Sequence, residues 1–292
     1  MKDFRGIITP IVTPFDHQGR VDNQRLKSYI GYLLDCGIHG VIPCGSTGEY
    51  PLLTFDERKR VAEVVKEEVG GRVPVVVGVT AVRNEDAVDL AKHAEKINAD
   101  GLLVAPTYYY RPSERELYNY YEEIASVGLP IVVYNVPNTT KVDMQPEFLV
   151  RLSDRFENVR HVKECTGDIS RVSSIIKLSG GRLKVLCGED PLMYDFFCLD
   201  PAGSVSTASN VLPRELVQLY RSFQNNNIER AREVFFRVFA LLKYIDGPKF
   251  VQMAKAALRI QHHDMGPTRK PLLPLEESEV NTLTKLMKEI EN

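Results

Sequence analysis

Eight short, nearly continuous apolar runs alternate along this chain with longer stretches of helical periodicity, and few folds accept that pattern. The runs are 6–12, 39–44, 74–79, 101–106, 130–135, 159–163, 183–187 and 203–206. Segments such as Val73-Pro-Val-Val-Val-Gly-Val79 carry no polar alternation, so both faces of the strand are covered, as in a parallel sheet wrapped by helices. Between the runs, stretches such as 22–36, 54–69, 84–97 and 113–125 place apolar residues at helical spacing. Thr54-Phe-Asp-Glu57 and Ser113-Glu-Arg-Glu116 match the capping box, in which a hydroxyl and a glutamate satisfy each other's free amides at a helix start.

Eight strand–helix units predict an α/β fold, a (β/α)₈ TIM barrel with a C-terminal helical extension. An open doubly wound sheet would carry a Gly-rich dinucleotide fingerprint after its first strand, and none is there. The expected division is a catalytic barrel over 1–225 and a helical appendage over 226–292. In the appendage, 228–244, 248–260 and 276–290 read as helices around a Gly/Pro-rich link at 265–274.

At 292 residues, with 43% hydrophobic and 26% charged residues, the chain is long enough for such a barrel and its core. A net charge of −2 gives no positive field for nucleic acid or an acidic membrane, so neither is an expected partner. No apolar run approaches the roughly 18 residues of a membrane span, and the first residues lack a signal-peptide core. Five scattered cysteines without a Cys-x-x-Cys pair suit a reduced compartment, so a cytoplasmic location is expected. The six histidines show no ligand spacing; neither a metal nor a cofactor is expected.

In such a barrel, chemistry sits where strands end. The second strand ends in Pro43-Cys-Gly-Ser-Thr-Gly-Glu49, whose two glycines free the backbone for amides and hydroxyls to converge on an anion; a plain tight turn reads the same way. The fourth ends in Pro106-Thr-Tyr-Tyr-Tyr-Arg-Pro112, three tyrosines that suit an interface better than solvent. The fifth ends in Tyr134-Asn-Val-Pro-Asn-Thr-Thr140, where Tyr134 is either core filler or a proton-transfer group. The sixth ends in His161-Val-Lys-Glu-Cys-Thr-Gly167. Two-residue spacing puts His161 and Lys163 on one face of the strand. Lys163 either reaches solvent along the strand end or is a nucleophile, burial disfavouring its charge and freeing a neutral amine.

Gly45-Ser-Thr-Gly-Glu49, Tyr134-Asn-Val-Pro137 and Lys163-Glu-Cys-Thr-Gly167, in that order, resemble the dihydrodipicolinate synthase/N-acetylneuraminate lyase family. The resemblance runs from Gly6-Ile-Ile-Thr-Pro10 to Arg269-Lys-Pro-Leu-Leu-Pro274. It implies a lyase in which Lys163 forms a Schiff base with pyruvate or a related 2-oxo acid. Tyr134 would shuttle protons, and Ser46 would relay them. The amides of Ser46 and Thr47 would hold the carboxylate, and Gly188 and Val205 would line the pocket. Tyr109 would cross a tight dimer interface into a neighbour's site, within a homotetramer.

Two departures bear on the substrate. Synthases acting on aspartate semialdehyde carry an arginine where this chain has Thr139, and threonine cannot clamp a carboxylate. Lys141, two residues on, is expected to sit elsewhere. The reading favoured by Thr139 and its neighbours Asn138 and Thr140 is therefore aldol cleavage, condensation or dehydration of a hydroxylated 2-oxo acid such as a 2-keto-3-deoxy sugar acid. The alternative is 4-hydroxy-tetrahydrodipicolinate synthase, and the rival of another class is a silent sensor on the same fold. Lysine-inhibited synthases use polar groups near Phe55, Arg58 and Val82, so lysine inhibition is not expected.

Overall fold

Each strand run is apolar on both faces because it serves two cores. In the computed structural model, which describes residues 3–199 and 202–291, Ile131 and Val133 of one strand pack outward against helices, while Val132 and Tyr134 point inward. The inward set also holds Phe4, Ile8, Ile42, Val76, Leu103, Leu186 and Val205, a filled interior and not a pore.

The strands are β1 (Gly6–Pro10), β2 (Gly40–Ile42), β3 (Val76–Gly78), β4 (Gly101–Val104), β5 (Ile131–Asn135), β6 (Val159–Glu164), β7 (Lys184–Cys187) and β8 (Gly203–Val205). They pair in parallel in the order β2-β1-β8-β7-β6-β5-β4-β3, and a Val41–Val75 bridge between the two end strands brings the circle round. The TIM barrel expected from the alternation is therefore observed.

The connecting helices are α1 (Asn23–Asp35), α2 (Phe55–Val69), α3 (Asn84–Lys96), α4 (Glu114–Ala125), α5 (Pro137–Thr140), α6 (Pro146–Arg155), α7 (Ser170–Ser179), α8 (Met193–Cys198) and α9 (Pro213–Gln224). Both capping boxes form: Thr54 with Glu57 starts α2, and Ser113 with Glu116 starts α4. Asp22 caps α1 by accepting from the amides of Gln24 and Arg25.

Beyond the barrel lie α10 (Ile228–Ile245), α11 (Phe250–Ile260) and α12 (Glu277–Glu291). None of the described helices is long and apolar enough to cross a membrane. The segment between α11 and α12 returns to the second strand end. Lys255 on α11 pairs with Glu49 at 2.7 Å, both side chains almost wholly buried, and also donates to the Pro267 carbonyl at 2.9 Å. The Arg269 amide donates to the other Glu49 oxygen at 2.8 Å, and the Arg269 guanidinium pairs with Glu57.

The turn carrying Ser46 and Thr47 is thus fastened from the C-terminal side. Lys255→Met should lower unfolding free energy by about 3–5 kcal/mol, because it strands a buried carboxylate, whereas an exposed pair would contribute little. Urea denaturation measures this; an unchanged midpoint would show that the pair contributes nothing.

Candidate active site

The inward face of β6 places His161 and Lys163 at opposite ends of the barrel interior, as their spacing requires. His161 lies at the closed end, where its ring is 5.0 Å from that of Phe4 and its Nε2 accepts from the Phe4 amide at 3.1 Å. Lys163 lies at the open end, only 6% exposed, with Nζ 4.3 Å from the centre of the Tyr134 ring. Parallel registry makes Tyr134 and Lys163 direct partners across β5 and β6. Lys163 does not reach solvent along the strand end, and Tyr134 is buried in the interior cluster beside it.

The protonation state differs from the expectation that burial frees a neutral amine. Burial does work against charge on Lys163, but Tyr134 foremost, then Cys165 and Asp190, override it and hold the amine above the usual lysine range. Burial pushes the Tyr134 phenol up to about 12 despite the opposing pull of Lys163. At neutral pH the unliganded site therefore holds an ammonium beside a neutral phenol. One proton has to leave before the amine attacks a carbonyl.

Lys255 is the instructive contrast. Burial pulls its amine down to about 8, so proton affinity alone would nominate it as the nucleophile. Its Nζ is already committed to Glu49 and the Pro267 carbonyl and lies 4.3 Å over the Phe15 ring, with no room for a substrate carbonyl.

The turn after β2 is built differently from the glycine-based expectation. Its left-handed residues are Cys44 and Glu49, at φ 58° and 59°, not the two glycines. Gly48 is required for closeness, because a methyl there would come within 2.9 Å of the Ile11 carbonyl. Among the described residues, the amides of Ser46 and Thr47 donate to no protein acceptor, which leaves both available to an anion. The Thr47 hydroxyl shares a 2.9 Å hydrogen bond with that of Thr207.

Gly188 follows β7 and packs on β6. Its amide donates to the Glu164 carbonyl at 3.0 Å, and a methyl on it would meet Cys165 Sγ at 1.9 Å and Lys163 Cε at 3.0 Å. Val205 is buried in the interior next to these groups. Thr139 is exposed on the turn formed by α5. Tyr109 is not brought to Lys163 within the chain: it is 85% exposed and strained at φ 82°.

Sequence reasoning missed three acids. Glu189 and Asp190 directly follow Gly188, and Asp246 caps α10. Burial, then the neighbouring Asp246, pushes Glu189 up to about 8. Burial pushes Asp190 up to about 6, against the pull of Lys163 among others. The strand-end rule could have found Glu189 and Asp190 at β7, but nothing local pointed to Asp246. Thr207 was missed as well. Among the described residues no His, Cys, Asp and Glu cluster is placed to hold a metal ion.

Comparison with known proteins gives the family of the chain. Residues 3–290 match the Dihydrodipicolinate synthetase family. A 4-hydroxy-tetrahydrodipicolinate synthase of Syntrophobacter fumaroxidans is 37% identical over 276 residues, covering 93% of this chain and 94% of the relative. The enzyme of that name from Methanospirillum hungatei is 36% identical over 293 residues, 98% of each chain. Among solved structures, dihydrodipicolinate synthase from Aquifex aeolicus superposes with a TM-score of 0.95 at 32% identity, covering 99% of this chain and 98% of that one. YagE from Escherichia coli K12, solved with pyruvate, gives 0.94 at 27% identity, covering 99% of each. The chain belongs to the dihydrodipicolinate synthetase family and is a Schiff-base-forming lyase of the class I aldolase and synthase type.

Proposed function

We propose that Lys163 forms a Schiff base with pyruvate and that the resulting enamine adds to aspartate semialdehyde, the reaction of a 4-hydroxy-tetrahydrodipicolinate synthase. The observation that carries the pyruvate half is the Lys163 amine, buried 4.3 Å over Tyr134. The amides of Ser46 and Thr47 take the carboxylate. Lys163 loses its proton and attacks the keto carbon, and Tyr134 protonates the departing hydroxyl, so that water leaves and an imine remains. The Tyr134 phenolate so formed takes a methyl proton from the protonated imine to give the enamine; the enamine carbon attacks the aldehyde, and Tyr134, again a phenol, with Ser46 protonates the new alkoxide. Gly188 and Val205 wall the pocket. The related YagE structure, bound to pyruvate, supports the choice of 2-oxo acid.

The aldehyde half is supported by the relatives' shared name and by a change in where Lys141 lies. The turn Pro137–Thr140 ends at Lys141 in a left-handed conformation, φ 60°, and Lys141 Nζ folds back to donate to the Asn138 carbonyl at 2.8 Å. The cation absent from Thr139 is thereby returned to the same turn. That turn is where a semialdehyde carboxylate would be met.

A second reading, cleavage or dehydration of a hydroxylated 2-oxo acid, is favoured by one observation. Glu189, Asp190 and Asp246 all lie close enough to Lys163 to feel its charge, and such acids would exchange hydrogen bonds with substrate hydroxyls. The two readings part when kcat/KM for semialdehyde condensation and for 2-keto-3-deoxy sugar acid cleavage is measured on one preparation. The semialdehyde should win, and Lys141→Met should raise its KM about three- to tenfold while leaving the pyruvate KM alone. A clear preference for the sugar acid, unaffected by Lys141→Met, would establish the second reading.

A second copy of the chain completes the site. Tyr109 and Tyr110 are 85% and 75% exposed, and Phe55 and Val82 add apolar surface. Non-glycine residues rarely hold φ near 80° without a partner to fix them. We place this surface in the tight interface of a homotetramer, with Tyr109 reaching the neighbour's site. Sedimentation should give an assembly larger than one chain, and Tyr109→Phe should lower kcat about tenfold or more without loss of assembly. A fully active monomer would refute this.

A further inference from the structure

We propose that Glu164 and Asn135 form a positioning pair that sets the contact between Lys163 and Tyr134. The proposal rests on the assignment of the chemistry to those two residues.

Successive side chains on a strand face opposite sides. Lys163 and Tyr134 enter the barrel, so the residues after them, Glu164 and Asn135, face the surrounding helices. The two are register partners, one step beyond the reactive pair. Both are essentially fully buried, at 1% and 0% exposure.

Their hydrogen bonds reach the segments that follow the reactive pair on both strands. Asn135 Nδ2 donates to Glu164 Oε2 and to Asp143 Oδ1, each at 3.2 Å. Asn135 Oδ1 accepts from the Met144 amide at 3.1 Å, and Glu164 Oε1 accepts from the Thr166 amide at 3.0 Å. Arg171 on α7 stands behind the pair. Its Nε is 3.6 Å from Glu164 Oε2, its Nη2 is 3.1 Å from Asp143 Oδ1, and Nη2 donates to the Met144 carbonyl at 2.6 Å.

The backbone repeats the pattern. The Cys165 amide donates to the Asn135 carbonyl, and the Gly188 amide to the Glu164 carbonyl. The ends of β5, β6 and β7, the link that follows α5, and the start of α7 are thereby fixed to one another.

Such a network is a poor source of stability. Apolar residues of similar volume would pack between sheet and helix without the desolvation that a buried carboxylate and guanidinium carry. Burial indeed pushes Glu164 up from the usual carboxylate range, opposed by Thr166, Arg171 and Asn135. What the network supplies is a fixed angle and distance between two strand ends. Lys163 and Tyr134 hold each other's protons only while they stay in contact, and displacement of a reacting group by about 1 Å can lower a rate about 100-fold.

Glu164→Gln tests this with little change of shape. Its new NH₂ must face either the Thr166 amide or Asn135 Nδ2, a donor against a donor. The expected result is a kcat about ten- to a hundredfold lower with the pyruvate KM within about threefold. The pH dependence of borohydride trapping should also move to lower pH, because Tyr134 raises the proton affinity of Lys163 only at close range.

Adding Asn135→Asp restores an acceptor opposite the new amide and should recover a large part of the loss. Arg171→Lys keeps the charge but removes the fork; should Glu164→Gln fail to fold, this variant carries the test, with the same kcat-selective loss on a smaller scale. A lower melting temperature with unchanged kcat and pH profile would reduce the pair to ordinary packing and overturn the proposal. Absence of trapped pyruvate on Lys163 in the parent enzyme would instead sink the assignment on which it rests.

Discussion

Lys163→Ala should abolish turnover, by on the order of 10⁴-fold or more, while the barrel remains folded. In the parent enzyme, pyruvate with borohydride should add one pyruvate less one oxygen atom to a single peptide, the one containing Lys163. The reason is positional. Among the described residues two lysines lie almost wholly buried, Lys163 at the end of β6 and Lys255 on α11, and Lys255 has the more easily deprotonated amine. Only Lys163 has its amine over a phenol in the barrel mouth; Lys255 is sealed against Glu49, Pro267 and Phe15. Peptide mass spectrometry of the trapped protein decides the matter. Label on Lys255, or equal label in the Lys163→Ala variant, would show that ease of deprotonation and not placement selects the nucleophile. Circular dichroism of the variant checks that the loss is chemical and not a loss of fold.

Tyr134→Phe should lower kcat about 10²- to 10³-fold, the usual scale of a positioned proton-transfer group. It should also leave a signature that simple loss of a hydroxyl would not. Tyr134 is the largest influence raising the proton affinity of Lys163. Without it, burial acts with less opposition, and the Lys163 amine should deprotonate at lower pH. In the parent enzyme, the rate of imine formation should climb with pH through and beyond neutrality as the ammonium gives up its proton. In the variant that climb should end at lower pH, even though carbon–carbon bond formation is slower. Borohydride trapping as a function of pH measures the first effect and steady-state turnover the second. A variant with the parental trapping profile would mean that Tyr134 does not govern the amine, and that Asp190 or Cys165 does.

Much of the fold was legible because its signals are short-range. Strand after strand begins and ends within a few residues of its apolar run, and the capping boxes at Thr54 and Ser113 form as written, since each needs only a hydroxyl and a glutamate three residues apart. That His161 and Lys163 share one face of β6 followed from two-residue spacing alone. The motif order that placed Ser46, Tyr134 and Lys163 at the ends of the second, fifth and sixth strands was likewise linear information, and the family match over residues 3–290 agrees with it.

What the sequence could not reveal depends on distances between residues far apart in the chain. Burial alone argued for a neutral Lys163; the fold puts Tyr134, Cys165 and Asp190 beside it, and these neighbours hold its proton affinity above the usual lysine range. Counting residues could not show that Lys141, in a left-handed conformation, donates to the Asn138 carbonyl. Glu49 read as the end of a glycine turn, yet its partner Lys255 lies more than two hundred residues away. Glu164 and Asn135 became a pair only when β5 and β6 aligned in parallel, one step beyond the reactive residues. Periodicity and caps belong to neighbouring residues, so the chain states them directly. Charge, proton affinity and the partner of a buried polar atom belong to three-dimensional separation and local dielectric, which exist only once the barrel has closed.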